Sequence, residues 1–151
     1  MITYKTGDLL QDDAEALVST VNTVGVMGKG IALAFKKAFP ANYLQYRYAC
    51  QKKTFNSGQI LVVRDTNLLY GEKLVINFPT KTHWSFNSEY AYIDIGLIAL
   101  TSFMESNNIK TLAIPALGCD IEGLDWQRVK YMIEDHLRYL ACDTRVYKPV
   151  F

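Results

Sequence analysis

Three short segments of this 151-residue chain carry the residues best suited to chemistry. VNTVGVMGKGIALAFKKAFP, from Val21, and PALGCDIEGLDW, from Pro115, each set glycines between a β-like run and a helical pattern. Amides at a helix start have no intrahelical acceptor, and glycine removes the Cβ that would keep a ligand away, so such loops form anion sites. Two of them in one chain suggest a bound diphosphate. Between them NFPTKTHW, from Asn77, places Lys81 just after a strand that Pro79 should halt. Lys81 is either a solvated surface charge, a fixed cation beside a phosphate, or, once deprotonated, a nucleophile toward a carbonyl or anomeric carbon. Beside it, His83 and Trp84 either offer a polar tip and a flat face for a base or simply pack the loop.

The remaining candidates divide the same way. Gly25, Gly28 and Gly30 precede Ile31 and match neither a Walker lysine motif nor GxGxxG, so they serve an anion or only a turn. Asn22 has an amide suited to a sugar hydroxyl, or to a local Asx-turn. In the second loop Glu122 would be repelled by phosphate unless it faces another part of the ligand, which makes it a solvated charge or a general acid/base. Asp125 reads as a helix N-cap. Cys119 has no histidine partner in a recognisable context, which argues against a nucleophile. Asp8, in TGDLL, caps a turn or accepts from an exocyclic amine, and Tyr147 is placed to flank a nucleotide.

The elements that must position these residues are legible as ITYKT, ALVSTV, QILVVR, KLVINF, TLAIPA and TRVYKPV, β-rich runs alternating with helical patterns that begin near Gly30, Ala41, Ser88 and Asp125. Such alternation predicts an α/β/α sandwich around a mostly parallel sheet. Tyr92, Ile95, Ala99 and Phe103 keep helical spacing, Pro40 separates the first two helices, and Asn107 and Asn108 end the third. With no repeat or linker, residues 1–151 read as one domain. Ligands in open α/β sheets gather beyond the carboxyl ends of the strands, where all three segments fall.

Half of the residues are hydrophobic, enough for a core that buries roughly two thirds of the unfolded surface. Sixteen Lys and Arg against 15 Asp and Glu give no field that announces nucleic acid, so any such contact must be local. Three scattered cysteines and two histidines fit neither a disulfide framework nor a metal site, and no cofactor is expected. Neither a signal peptide nor a membrane-length apolar run is present, so a cytoplasmic protein without membrane contact is expected.

TGDLL, ALVSTVNTVGVMGKGIALAFKKAFP, NFPTKTHW and PALGCDIEGLDW, in this order, resemble the macrodomains, the ADP-ribose-binding family, over essentially the whole chain. The likeness is strongest to the DNA ADP-ribosyl glycohydrolase antitoxins, with the terminal ADP-ribose protein glycohydrolases as a related branch. The resemblance implies a three-layer α/β/α sandwich with a mixed, mostly parallel sheet. It implies that Asp8 reads the adenine, that Asn22 faces the distal ribose, and that Gly28, Lys29, Gly30 and Ile31 embrace the diphosphate and distal ribose together with Gly118, Cys119, Asp120, Ile121 and Gly123, with Leu9 and Leu117 also in the ADP-ribose set. Thr80 and Tyr147 complete the ADP-ribose set, and His83 and Trp84 would contact the DNA base. Lys81 falls on the catalytic lysine, and Glu122 falls where the terminal glycohydrolases carry a catalytic aspartate. Asp120 departs from the small residue expected there and would weaken anion binding. The common N-A-N loop is also absent, which favours the lysine-dependent branch.

The implied activity is removal of ADP-ribose from a thymidine or guanosine base, reversing a DNA ADP-ribosyltransferase toxin without metal or cofactor. The implied partners are ADP-ribose, ADP-ribosylated single-stranded DNA and a cognate toxin, with the protein itself a monomer. The rivals are hydrolysis of ADP-ribose esters on acidic protein side chains, and ADP-ribose binding without turnover.

Overall fold

The structure is a computed structural model and describes residues 1–119 and 123–149. Its strands are β1 (Ile2–Lys5), β2 (Ala16–Val21), β3 (Leu61–Asn67), β4 (Gly71–Pro79), β5 (Thr111–Pro115) and β6 (Asp143–Tyr147). They form one sheet in the order β1-β6-β5-β2-β4-β3. All neighbours are parallel except β3 and β4. That exception follows from the tight Asn67–Gly71 connection, since a hairpin can only be antiparallel. Asn67 Oδ1 accepts from the Leu69 amide at 2.7 Å and the Tyr70 amide at 3.0 Å, and Gly71 has φ +82°.

Helices cover both faces: α1 (Gly30–Ala38), α2 (Pro40–Gln51), α3 (Tyr90–Ser106) and α4 (Trp126–Leu137), with a 3-10 turn at Leu9–Gln11. Two of these starts differ slightly from the sequence expectation. Helix α2 takes Pro40 itself as its first residue, where the missing N–H costs nothing. Helix α3 begins two residues beyond Ser88, because the Glu89 amide is drawn to the Thr80 carbonyl at 3.2 Å. Asn107 caps α3 and Asn108 follows with φ +53°. Asp125 caps α4 by accepting from the Arg128 amide at 3.1 Å.

Alternation along the strands divides the core. Ala16, Val18, Ile76, Phe78, Leu112 and Ile114 pack under α3 and α4 against Leu97, Leu100, Val129 and Ile133. Leu17, Val75 and Ala113 face Phe35 of α1, Phe39 between α1 and α2, and Leu9 and Leu10 of the 3-10 turn. The Val, Leu, Ile and Phe side chains among them contribute about 1.5–3 kcal/mol each when fully buried. Gly96 lets α3 approach the sheet, since a Cβ there would stand 2.4 Å from the Phe78 ring. Parallel register aligns Val21 with Pro79 and Pro115 with Tyr147, so the chain leaves β2, β4, β5 and β6 at one edge. Among the described residues no helix is long and apolar enough to cross a membrane.

Candidate active site

At that edge lies a cavity of about 670 Å³, lined from the β2, β4 and β5 loops. Its walls include Asn22, Gly28, Lys29, Gly30, Ile31, Lys81, Trp84, Gly118 and Cys119, which brings together much of the set expected from sequence.

The first loop is built around Asn22, only 4% exposed. Its Oδ1 accepts from the amides of Val24 (3.1 Å), Gly25 (3.2 Å) and Val26 (3.3 Å), and its Nδ2 donates to the Val26 carbonyl at 2.7 Å. The Asx-type reading of Asn22 therefore holds, although the residue also lines the cavity. Beneath it, the buried Tyr46 hydroxyl of α2 reaches the Asn22 carbonyl at 2.8 Å and Oδ1 at 2.9 Å. Burial, with the Cys50 thiol nearby, pushes the Tyr46 phenol above its ordinary pKa, so it stays a protonated donor. Burial likewise pushes Cys50 up to about 11, leaving an inert packing thiol. Gly25, at φ +92°, sits where a Cβ would meet Cys50 Cβ at 3.3 Å. Further along, extended Lys29 and left-handed Gly30 (φ +57°) turn the chain into α1. The first amides of α1 thus lack intrahelical acceptors where Gly30, Ile31 and Ala32 line the cavity.

The lysine segment is fastened to this loop. Thr80 donates its amide to the Val21 carbonyl at 3.0 Å, and Thr23 gives both its amide (3.3 Å) and its hydroxyl (3.1 Å) to the Thr82 carbonyl. Lys81 lies between these ties, half-buried on the cavity wall. After it, residues 83–86 form a turn closed by the Phe86 amide on the His83 carbonyl at 3.0 Å. His83 Nδ1 accepts from the Ser85 amide at 3.1 Å and pairs with the Ser85 hydroxyl at 2.7 Å. Its ring stands 5.0 Å from that of Trp84 and 5.2 Å from that of Phe86.

The second loop leaves β5 through Ala116 and Leu117. Gly118 has φ +72°, and its carbonyl accepts from the Leu124 amide at 3.0 Å. A Cβ on Gly118 would stand 2.8 Å from both Ser88 Cβ and Leu124 Cδ1, so only glycine fits. Cys119 is 2% exposed and donates to the Leu117 carbonyl at 3.4 Å, a packing role. Asp120, Ile121 and Glu122 lie outside the described residues. Gly123 resumes the chain at φ +93°, near Asn87.

Other expected residues stand apart from the cavity lining. Leu9 and Leu117 are core side chains. Thr80 is buried behind the wall, and His83 supports the turn. Asp8 is exposed and caps the 3-10 turn through the Leu10 amide at 3.0 Å. Tyr147 is buried, and its hydroxyl donates to Asp12 Oδ2 at 2.7 Å. Burial alone would raise the Asp12 pKa, yet the Tyr147 hydroxyl, the Arg145 guanidinium at 2.6 Å and the Ala14 amide at 2.8 Å hold it below the usual range. The wall also includes Val26, Phe86 and Asn87, which sequence reasoning missed. Phe86, two residues past Trp84 in one aromatic turn, carried the only usable signal.

Comparison with known proteins agrees with this fold. The chain is 48% identical over 150 residues to the DNA ADP-ribosyl glycohydrolase of Mycobacterium tuberculosis, covering 99% of this chain and 42% of the relative. It therefore spans less than half the length of that relative. Among solved structures, the macrodomain of Mycobacterium tuberculosis DarG superposes with a TM-score of 0.95 at 46% identity, covering 99% of both chains. Thermosipho africanus DarTG in complex with ADP-ribose superposes with a TM-score of 0.90 at 33% identity, covering 99% of this chain and 42% of that one. Residues 18–133 match the model of the Macro domain family, and with the sheet order, the strand-end cleft and its glycine loops this chain belongs to the macrodomains.

Proposed function

We propose that this domain holds ADP-ribose in the cleft and hydrolyses the N-glycosidic bond joining it to a thymidine or guanosine base, undoing the work of a DNA ADP-ribosyltransferase. The observation that carries this reading is the position of Lys81, on the wall of the same cleft as the amide-bearing start of α1 and the Gly118 turn. Amides at those two places suit a diphosphate, and Asn22 and Lys81 then meet the distal ribose. Asp8 spends one oxygen on its own turn, which leaves carboxylate acceptor sites for the adenine amine. Likeness to relatives that carry the DNA ADP-ribosyl glycohydrolase name supports the substrate class.

Lys81 acts at the anomeric carbon by one of two routes. As a cation it orients the ribose and its surrounding charge while water attacks. As an amine it bonds to that carbon, the base departs with a proton, and water then releases ADP-ribose and restores the amine. Glu122 is the candidate proton carrier to the base. The modified base must be unstacked to enter the cleft, which is cheapest in single-stranded DNA, with Trp84 and His83 against it.

The test is release of ADP-ribose from single-stranded DNA carrying ADP-ribosyl-thymidine or ADP-ribosyl-guanosine. Lys81→Ala should lower the rate by roughly 100-fold or more while ADP-ribose affinity stays within a few-fold, and Glu122→Ala should show whether a carboxylate takes part. Borohydride trapping of a protein–ribose adduct would select the amine route. Tight ADP-ribose binding without release from either DNA would favour ester hydrolysis on protein side chains, or a reader.

A further inference from the structure

We infer that Trp84 and Phe86, braced by His83, form a stacking platform for an unpaired base next to the modified nucleotide, so that the domain favours ADP-ribose on a single-stranded oligonucleotide over ADP-ribose on a lone nucleoside. This rests on the DNA reading above and adds the substrate's neighbouring base to it.

Trp84 and Phe86 both line the catalytic cleft, yet they remain 52% and 59% exposed. Large aromatic rings left in water at the mouth of a site mark a contact surface. Their arrangement is set locally. The Phe86-to-His83 backbone bond and the two Ser85 contacts on His83 Nδ1 hold the turn, and the His83 ring stands 5.0 Å from Trp84 and 5.2 Å from Phe86. His83 thus braces two exposed rings, which together offer more flat surface than one base covers. The base leaving the anomeric carbon near Lys81 takes one ring face, and its strand neighbour takes the next.

Stacking also suits the charge of the chain. A formal net charge of +1 supplies no broad field to gather phosphates, so contacts that do not depend on counterion release carry a larger share of the affinity for a strand. Ring faces accept any base, so the platform adds affinity without reading sequence.

The experiment measures wild-type kcat/KM on three substrates: an ADP-ribosylated nucleoside, the same nucleotide inside a short single-stranded oligomer, and that oligomer with abasic sites on both sides of the modification. The base-flanked oligomer should be turned over roughly 5- to 150-fold better than the nucleoside, the range stacking of one base supplies, and the abasic oligomer should fall back toward the nucleoside. Trp84→Ala and Phe86→Ala should each narrow the oligomer-to-nucleoside ratio, and raised salt should leave the wild-type ratio largely in place. Equal turnover of all three substrates would overturn the inference while leaving the proposed activity standing. No turnover of any of them would remove the activity reading, and this inference with it.

Discussion

The two glycine-containing loops that border the cleft reach their shapes by opposite means. The first is arranged by something present: a buried Asn22 that gathers three consecutive loop amides and is held from below by Tyr46. The second, where described, is arranged by something absent, because Gly118 leaves room for Ser88 and Leu124 where a Cβ would collide. A loop held by a polar scaffold loses stability in steps as its bonds are removed. A loop held by the lack of a side chain fails on the addition of one methyl group.

This contrast can be broken most severely at Gly118. Gly118→Ala combines a left-handed backbone with two contacts at 2.8 Å, and should destabilise the fold by about 2–4 kcal/mol in denaturant unfolding. A cost below about 1 kcal/mol would show that the second loop shifts freely and does not depend on the missing Cβ. Next, Asn22→Ala strands the Val24, Gly25 and Val26 amides, while the Tyr46 hydroxyl keeps the residue 22 carbonyl, and should cost about 2–3 kcal/mol. Calorimetric titration should then show ADP-ribose affinity falling by more than the stability loss accounts for, because the start of α1 hangs from this loop. The smallest effect tests the scaffold alone. Tyr46→Phe keeps the ring and removes one donor, so it should cost about 0.5–1.5 kcal/mol and weaken ADP-ribose binding only a few-fold. If Tyr46→Phe abolished binding while Asn22→Ala spared it, the hierarchy drawn here would be inverted.

Much of this fold was legible because strands and helices announce themselves by period. ALVSTV and TLAIPA are the runs expected of strands buried on both faces, and they became β2 and β5 at the centre of the sheet. Pro40, Asn107 and Asp125 marked helix ends by chemistry that acts within a few residues, and each holds such a place in the structure. The site was legible in its reactive types, glycine, lysine and tryptophan, and several of these do share one cavity wall. Less legible were residues whose place depends on distant partners. Tyr46 is one of ten tyrosines, and nothing in its sequence neighbourhood connects it to Asn22, 24 residues away. Tyr147 looked available to a nucleotide, whereas its hydroxyl belongs to Asp12, 135 residues away. Val26 and Asn87 line the cleft although neither stands in a recognisable motif.

The sequence alone determined which segments become strands and helices, which backbone turns demand glycine, and which reactive side chains follow strand ends, because these depend on local sterics, capping and hydrophobic period. Only the tertiary structure decided that the β2, β4 and β5 loops share one cleft, that Asn22 is spent largely on its own loop, and that Trp84 and Phe86, both in contact with His83, stay exposed on its wall. Those outcomes depend on parallel register and on hydrogen bonds between residues far apart in the chain, whose partners are chosen only when the sheet assembles.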